Sequence, residues 1–245
     1  MLEFIEKIAP MLLSGAWLTI KITVISVVIA ALLALPASIF RIQKSRLYRT
    51  PVQVFISFFR GTPLIAQLFL VYYGSGQFRP FLMEMGLWQF FRDPMNCALL
   101  TFTLNSLAYQ TEIMRGAIQS VDAGEIEAAK SMGMKNSLLY RHIVLPLAYR
   151  ISFPALGNEC ILMLKGGAVA SVITVMDLMG QTRRAFSQSF DITTYFYAAA
   201  MYLVITTSFV IAWRFAERYL YRHQVQRSPN KPSVQINNRS KTATT

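Results

Sequence analysis

Apolar residues dominate five long stretches of the chain, and short polar intervals separate them. The stretches lie at about residues 17–40, 51–73, 95–118, 153–173 and 193–213. Each is long enough to cross the hydrocarbon core of a bilayer as a helix, which requires about 20 residues. The pattern therefore predicts an all-α polytopic membrane protein with about five transmembrane helices.

Two of these stretches contain helix-breaking residues. Pro36 is expected to kink or end the first helix. The second contains the run Arg60-Gly61-Thr62-Pro63. A charge, a glycine and a proline would be costly against lipid, so we expect Arg60, Gly61 and Pro63 to face the protein interior. A Gly-Pro kink with Arg60 extending toward the membrane surface is the local alternative.

Polar side chains follow one face of the third stretch. Asn105, Tyr109 and Glu112 recur at i, i+4 and i+7, which places them on one side of a helix, and Glu112 can pair with Arg115. A polar face on a spanning helix indicates a bundle interior or a solute pathway. Interhelical hydrogen bonding without solute contact explains the same pattern, and the residues alone do not separate the two.

The fourth stretch carries Asn158, Glu159 and Lys165, followed by Gly166 and Gly167. Their place in an apolar segment predicts that Glu159 and Lys165 are buried, and their spacing requires partners on other helices or on a second subunit. With the polar face of the third stretch, these three polar residues are our candidates for a solute pathway.

Residues 120–148 form the longest polar interval inside the hydrophobic part of the chain. Asp122 and Glu125 have the spacing of a helix-start signal. We expect a short helix over residues 125–132 that ends at a left-handed Gly133.

A second short helix is expected after this turn. Asn136 or Ser137 can cap it, and it should continue through Val144. Leu145 and Pro146 should close the interval, because proline fits the first turn of the next helix and drives the preceding residue into an extended conformation. The interval would thus lie on the membrane surface as a helix–turn–helix.

Basic residues indicate the orientation of the chain. Residues 41–49 contain four basic residues and no acid, and basic residues also accompany 120–148 and follow the fifth stretch. Loops rich in Lys and Arg stay in the cytoplasm. We therefore expect a periplasmic N-terminus and a cytoplasmic C-terminus, with a transmembrane domain over 1–226 and a disordered cytoplasmic tail over 227–245.

Composition agrees with a membrane protein and argues against other classes. Of 245 residues, 54% are hydrophobic and 15% charged, and mean hydropathy is +0.40. The net charge of +12 lies mostly in the expected cytoplasmic segments, which indicates membrane topology rather than nucleic acid binding. Cys97 and Cys160 lack C-x-x-C spacing and the two histidines are far apart, so no metal site is indicated. No P-loop motif occurs, so this chain is not expected to bind ATP; if ATP drives the protein, a partner must supply the ATP-binding site.

The interval 120–148 resembles the cytoplasmic coupling loop of bacterial ABC importer permeases. The shared pattern is E-A-A, three residues, G, nine residues, I-x-L-P. Its positions are occupied here by Glu127, Ala128, Ala129, Gly133, Ile143, Leu145 and Pro146. In that family the loop docks into a groove on the ATPase subunit and transmits its closure to the membrane helices. The resemblance implies that these residues, with Glu125, couple the chain to an ATPase, and that the small Ala128 and Ala129 allow close approach.

Other runs are most similar to permeases of histidine, lysine, arginine and ornithine uptake, with opine permeases as close relatives. They lie at 104–105, 108–109, 111–113, 124–129, 158–159 and 161–165. The R-G-T-P run resembles the polar amino acid branch. The resemblance covers about residues 10–222 and implies the type I ABC importer permease (MetI-like) fold. Where related permeases usually carry small hydroxyl residues after the lysine, this chain has two glycines.

The resemblance also implies partners and a mechanism. Such permeases work in the bacterial inner membrane as two membrane subunits with an ATP-binding cassette ATPase dimer and an extracytoplasmic solute-binding protein. This chain would be one of two similar but non-identical subunits that form a heterodimer. It would have no cofactor, no metal and no catalytic residue, because ATP and Mg belong to the ATPase. It would carry a basic amino acid by alternating access, with Glu112 and Glu159 as candidate sensors of a cationic solute.

Three other functions remain in view. The permease of an opine or another polar amino acid would show the same motifs. An ATP-independent channel or secondary transporter would not need the E-A-A loop. A membrane-embedded enzyme would need a nucleophile–base or metal constellation, and the sequence contains no such cluster.

Overall fold

The structure is a computed structural model that describes the backbone of residues 2–221 and the side chains of residues 8–221. These residues form eleven α-helices: α1 (Leu2–Ile42), α2 (Arg46–Gly61), α3 (Leu64–Gln77), α4 (Arg79–Glu84), α5 (Trp88–Phe91), α6 (Pro94–Gln119), α7 (Ala123–Ser131), α8 (Asn136–Leu139), α9 (Leu145–Gly166), α10 (Leu178–Ser189) and α11 (Thr193–Tyr221). A π-helical turn, Tyr140–Val144, precedes α9, and a 3₁₀ segment, Gly167–Ile173, follows it. The expected domain end at 226 and the tail 227–245 lie outside the described residues.

Three helical runs are long and apolar enough to cross a membrane. They are Ile8–Ile42, Asn136–Ile173 and Thr193–Tyr221, and the bent pair α2 and α3 raises the number to four if it is one span. The prediction of five spans is therefore not met by this criterion. Helices cover all five predicted stretches, and α6 is the one whose composition is too polar to count.

Helix α6 is polar because protein surrounds it. It packs against α1, α2, α3 and α9, and 13 of its 26 residues are buried. Buried polar side chains on α6 include Thr101, Asn105 and Gln110. A helix inside a bundle can satisfy such groups from its neighbours, so it needs less apolar surface than a helix that faces lipid. Helix α11 is the opposite case, because only 6% of its most apolar segment is buried and its composition is apolar enough to cross a membrane.

Pro36 does not end the first helix, because α1 continues for six residues beyond it to Ile42. The fixed φ of proline is compatible with a helix, and the cost is one lost backbone hydrogen bond and a steric clash with the preceding turn. Ala34 and Ser38 are buried on either side of Pro36, so packing against the bundle keeps the helix continuous.

The second predicted stretch is broken into two helices. The axes of α2 and α3 differ by 106°, so a continuous helix over 51–73 is wrong. Thr62 and Pro63 are both extended, with ψ of 148° and 138°. Proline disfavours helical geometry in the residue before it, which explains why the chain turns at Thr62.

Helix α10 closes the end of the bundle opposite α7. Asp177 caps it by accepting a hydrogen bond from the Gly180 N–H at 2.8 Å. The Leu178 N–H donates to Thr19 on α1 at 3.0 Å. A Cβ on Gly15 would lie 2.8 Å from the Asp177 carbonyl, so glycine is required for this close contact between α1 and α10.

Candidate functional site

The first helix of the 120–148 interval forms as expected, two residues earlier than predicted. Asp122 caps α7 by accepting from the Gly124 N–H at 2.6 Å. Gly133 has φ +78°, which confirms the predicted left-handed stop. The Gly133 N–H donates to the Lys130 carbonyl, and the Met134 N–H donates to the Ala129 carbonyl. This pair of bonds is a Schellman motif, and it turns the chain sharply after α7.

The second half of the interval differs from the prediction. The N-cap residue of α8 is Lys135, not Asn136 or Ser137. Leu145 is helical, with φ −67° and ψ −46°, so Pro146 does not close the interval. The Leu145 N–H donates to the Tyr140 carbonyl, five residues back, and α9 follows directly. A π-turn before Pro146 adjusts the ladder around the missing N–H, so the helix continues into the bundle.

The E-A-A residues face in different directions. Glu125, Glu127 and Ala128 are exposed, whereas Ala129 is 1% exposed. Ala129 belongs to an apolar cluster with Met114 and with other residues of α6, α8, α9 and the segments beside them: Ala117, Ile118, Val121, Leu139, Val144 and Ala148. The Ala129 side chain therefore fixes α7 to the bundle, and the close approach of another protein stays a prediction that only the exposed Ala128 can serve directly. Among the remaining motif residues, Pro146 is exposed, and Ile143 and Leu145 are half-buried.

A cavity of about 160 Å³ brings together three of the predicted pathway residues. They are Asn105 and Tyr109 on α6 and Glu159 on α9. Its other walls are Leu64, the first residue of α3, and Leu162 and Met163 on α9. Leu162 is 60% exposed and Tyr109 37%, so the cavity opens to the surface between α6 and α9.

Glu159 is a buried carboxylate with one committed oxygen and one free oxygen. Its side chain is 5% exposed. Oε1 accepts from the Ser106 hydroxyl at 2.6 Å, and Ser106 accepts from Gln110 at 2.9 Å. Oε2 is buried without a hydrogen-bond partner among the described residues. The prediction that Glu159 is buried with a partner on another helix is confirmed, and a buried carboxylate oxygen left free is suited to a cationic ligand.

Glu112 lies outside this cavity. It pairs with Arg115 at 2.8 Å, as its spacing predicted, and with Arg41 at the end of α1 at 3.3 Å. These contacts join the end of α1 to α6. They favour the structural alternative for Glu112 over solute sensing.

The helix break also departs from expectation. The single chain exposes Arg60, Gly61 and Pro63. The prediction that these residues face the interior of the protein is therefore wrong for the single chain. The Arg60 guanidinium lies 5.2 Å from the centre of the Tyr109 ring, a cation–π contact at the cavity mouth. The predicted kink itself is confirmed.

Asn158 and Lys165 do not enter the cavity. Both are exposed, and with Leu162 they recur at i, i+4 and i+7, so they form one face of α9. The prediction that Lys165 is buried is therefore wrong for the chain alone.

Gly167 is buried beside the Phe102 ring, and a Cβ on this glycine would come within 3.4 Å of that ring.

Sequence reasoning missed the residues that position the site. Ser106, Gln110 and Gln67 are buried and hydrogen-bonded to Glu159, Ser106 and Asn105 respectively. Ser106 and Gln110 are spaced i, i+4 on the polar third stretch, and that spacing was the available signal. Among the side chains of residues 8–221, no group of three His, Cys, Asp or Glu residues could hold a metal ion.

Comparison with known proteins agrees with this architecture. The family model for binding-protein-dependent transport system inner membrane components matches residues 26–222. The nopaline transport system permease protein NocM of Agrobacterium fabrum is 40% identical over 206 residues, which are 84% of this chain and 86% of that protein. The histidine/lysine/arginine/ornithine transport system permease protein HisM of Salmonella typhimurium is 40% identical over 211 residues, 86% of this chain and 90% of that protein.

Solved structures show the same fold. A crystal structure of an amino acid ABC transporter with histidines matches with a TM-score of 0.78 and 34% identity, over 88% of this chain and 96% of that chain. An inward-facing structure of the MetNI methionine ABC transporter matches with a TM-score of 0.70 at 18% identity, over 86% of this chain and 96% of that chain.

Proposed function

The chain belongs to the family of binding-protein-dependent transport system inner membrane components, and we propose that it carries a basic amino acid through the membrane. It is a non-catalytic, multi-pass permease subunit of an ABC importer for polar amino acids in the bacterial inner membrane. The solutes we propose are histidine, lysine, arginine and ornithine, the group named for the relative HisM.

The single observation that carries this proposal is the free Oε2 of Glu159 at the cavity wall. A buried carboxylate that lacks a basic partner in the described chain is unstable as an ion until a cation reaches it. The ammonium or guanidinium of a basic amino acid would supply that cation, and an anionic solute would be repelled. Ser106 holds the carboxylate in place from the opposite side, so that one oxygen stays directed to the solute.

Import of an opine is the second candidate, supported by the equal 40% identity to the nopaline permease. Competition between labelled lysine and unlabelled nopaline or octopine in proteoliposomes separates the two. An ATP-independent channel or secondary transporter would move solute in proteoliposomes that lack the ATPase subunit. The importer would show no solute uptake without the ATPase subunit.

We propose that α7 is the element that the ATPase moves. The exposed Glu125, Glu127 and Ala128 form its outer surface, whereas Ala129 anchors it to the bundle. Gly133 sets the turn, and the run Ile143, Leu145 and Pro146 continues as helix into α9. Ala129 of α7 packs against Leu139 and Val144, and the helical run from Asn136 through α9 carries Glu159, so a push on α7 would reach the cavity through that packing. ATP-driven closure of the ATPase dimer would then switch the cavity between inward and outward access.

The orientation that fits this mechanism has α7 in the cytoplasm and the N-terminus in the periplasm. The basic residues of 41–49 support it. Membrane-impermeant thiol labelling tests it, with Cys introduced at exposed Lys44 and at exposed Ser187. In intact cells Ser187→Cys should react and Lys44→Cys should not, and the reverse pattern would overturn the proposed topology.

A second, similar membrane subunit would cover the exposed polar face of α9. Asn158 and Lys165 on a spanning helix would be costly against lipid, which supports a protein partner at this face. The complex would also require an extracytoplasmic solute-binding protein to deliver the amino acid to the outer side.

The experiment that tests the site compares Glu159→Gln with Glu112→Gln in the full complex. Glu159→Gln removes the charge and keeps the shape, so lysine and arginine uptake should fall by roughly tenfold or more. Glu112→Gln should assemble less stably but keep its preference for basic solutes. Unchanged uptake in Glu159→Gln would remove the proposed role of this residue.

A further inference from the structure

A second cavity, of about 250 Å³, lies where α7 begins and α11 ends. Its walls include Asp122 and Glu125 at the start of α7, Leu147, Arg150 and Ile151 on α9, and Tyr221. The Tyr221 hydroxyl donates to the Arg150 carbonyl, and this bond holds the end of α11 against α9. Because Tyr221 is the last described residue, the rest of the chain continues directly from this cavity, which we call the α7 cavity.

The lining of the α7 cavity is more acidic than basic. Asp122 and Glu125 contribute two carboxylates, and Arg150 is the only basic side chain in the lining. Neither carboxylate forms a salt bridge with another side chain of residues 8–221. All three side chains are exposed, and the exposed Glu127 extends the acidic surface along α7. A positively charged segment is therefore the complementary occupant of this cavity.

The part of the chain that follows Tyr221 has this complementary charge. Residues 222–245 contain five basic side chains and no acidic one: Arg222, Arg227, Lys231, Arg239 and Lys241. The first three lie within residues 222–231, which we call the basic segment. Ten residues span at most about 35 Å, whereas the nine residues of α7 extend over about 14 Å. The basic segment is thus long enough to reach the α7 cavity and the outer surface of α7.

We propose that the basic segment binds in the α7 cavity against Asp122 and Glu125 and competes with the ATPase for α7. This inference rests on the proposed role of α7, because Glu125 lines the cavity and also belongs to the surface assigned to the ATPase. Exposed ion pairs are individually weak. An occupant tethered beside its site has an effective concentration in the millimolar range, so weak pairing is sufficient.

Anionic lipid headgroups are the other surface that a basic segment beside a membrane can reach. Segments that bind such lipids carry clusters of about four to eight Lys and Arg residues. Here three basic residues are spread over ten positions. This spacing favours the acidic cavity next to Tyr221 over the lipid surface.

Cross-linking tests the contact itself in the full-length chain, within its permease dimer and without ATPase. Ser120 lines the α7 cavity, and Ser228 lies in the basic segment. The double variant Ser120→Cys/Ser228→Cys should form its disulfide under mild oxidation several-fold faster than the same variant that also carries Arg222→Gln, Arg227→Gln and Lys231→Gln. The neutralised variant keeps the tether and removes only the charge. Equal rates would show that tethering alone brings the segment to the cavity and would overturn the proposal.

The affinity of the permease dimer for its ATPase subunit tests the competition. Arg222→Gln/Arg227→Gln/Lys231→Gln should bind the ATPase roughly two- to tenfold more tightly than wild type at low salt. The difference should shrink at about 0.5 M salt, because exposed charges are screened. Arg239→Gln/Lys241→Gln is the matched control and should bind like wild type. Weaker binding by the triple variant would assign the basic segment to a contact with the ATPase and overturn the proposed competition.

The same assay in two kinds of nanodisc distinguishes the cavity from lipid. One kind contains phosphatidylcholine alone, and the other also contains anionic phosphatidylglycerol. Tighter ATPase binding by the triple variant in both membranes supports the α7 cavity, whereas a gain limited to the anionic membrane would overturn it in favour of lipid headgroups. If no variant bound the ATPase and charge-dependent cross-linking persisted, the proposed role of α7 would fall and the contact of the basic segment would stand.

Discussion

The turn after α7 offers a quantitative test of how this permease engages its ATPase. Gly133 has φ +78°, and a Cβ built there meets nothing within 4 Å. Any effect of a small side chain must therefore come from the backbone and not from a clash inside the chain. A non-glycine L-residue in the left-handed region costs about 1–2 kcal/mol, Asn and Asp tolerate it better, and β-branched residues tolerate it worst.

The series Gly133→Asn, Gly133→Ala and Gly133→Val should follow this backbone cost. Asn should resemble wild type, Ala should weaken ATPase binding by roughly 5- to 30-fold, and Val should weaken it further. Gly133→Asp accepts the same φ but adds a charge, so it should fall below Asn by the electrostatic penalty at the docking surface alone. The assay is the affinity of purified permease dimer for its ATPase subunit, followed by ATP-driven lysine uptake.

Gly116→Ala is the matched control, because this glycine lies inside α6 and a Cβ there also meets nothing within 4 Å. It should leave ATPase binding unchanged. If Asn impaired binding as strongly as Val, the surface and not the turn would be responsible. If Val bound the ATPase like wild type, the turn would not be required for docking at all.

The remaining predictions concern stability and its pH dependence. A Cβ on Gly157 would overlap the Trp213 ring, so Gly157→Ala should displace that indole and break its 3.2 Å bond to the Phe153 carbonyl. The fold should lose about 1–3 kcal/mol of stability, seen as a lower Tm than that of Gly116→Ala in detergent. Burial raises the pKa of Asp177 to about 6, so its carboxylate disfavours folding most above pH 6, and that cost disappears as pH falls toward 4. Asp177→Asn keeps the cap and should therefore raise the free energy of unfolding by up to about 3 kcal/mol at pH 7.5, seen as a higher Tm, and by much less at pH 4.5. A gain independent of pH would contradict this assignment.

The local rules of the sequence anticipated most of the long helices, the break after α2 and the end of α7. The break at Thr62 and Pro63 and the left-handed Gly133 depend on φ preferences of the residues themselves, which hold in any context. The pairing of Glu112 with Arg115 follows from helical spacing alone. These features required no knowledge of which helices meet.

Packing decided the features that the pattern could not specify. Pro146 lies inside a continuous helix because a π-turn and a buried cluster around Ala129 hold the chain there, against the local preference of a proline. Polarity made α6 look like a possible pathway along its whole face, but only Asn105 and Tyr109 reach the cavity. The extent of the site depended on which neighbours cover each side chain.

By itself, the sequence determined the family, the helical segments and the expected cytoplasmic location of α7, because periodicity, charge and turn chemistry act over a few residues. Only the tertiary structure decided that Glu159 keeps a free oxygen in a cavity, since its partner Ser106 lies 53 residues away in the chain. It likewise decided that Leu64, the first residue of α3, lines that cavity. Hydrogen bonds between residues so distant form only when the helices pack, and no local pattern records them.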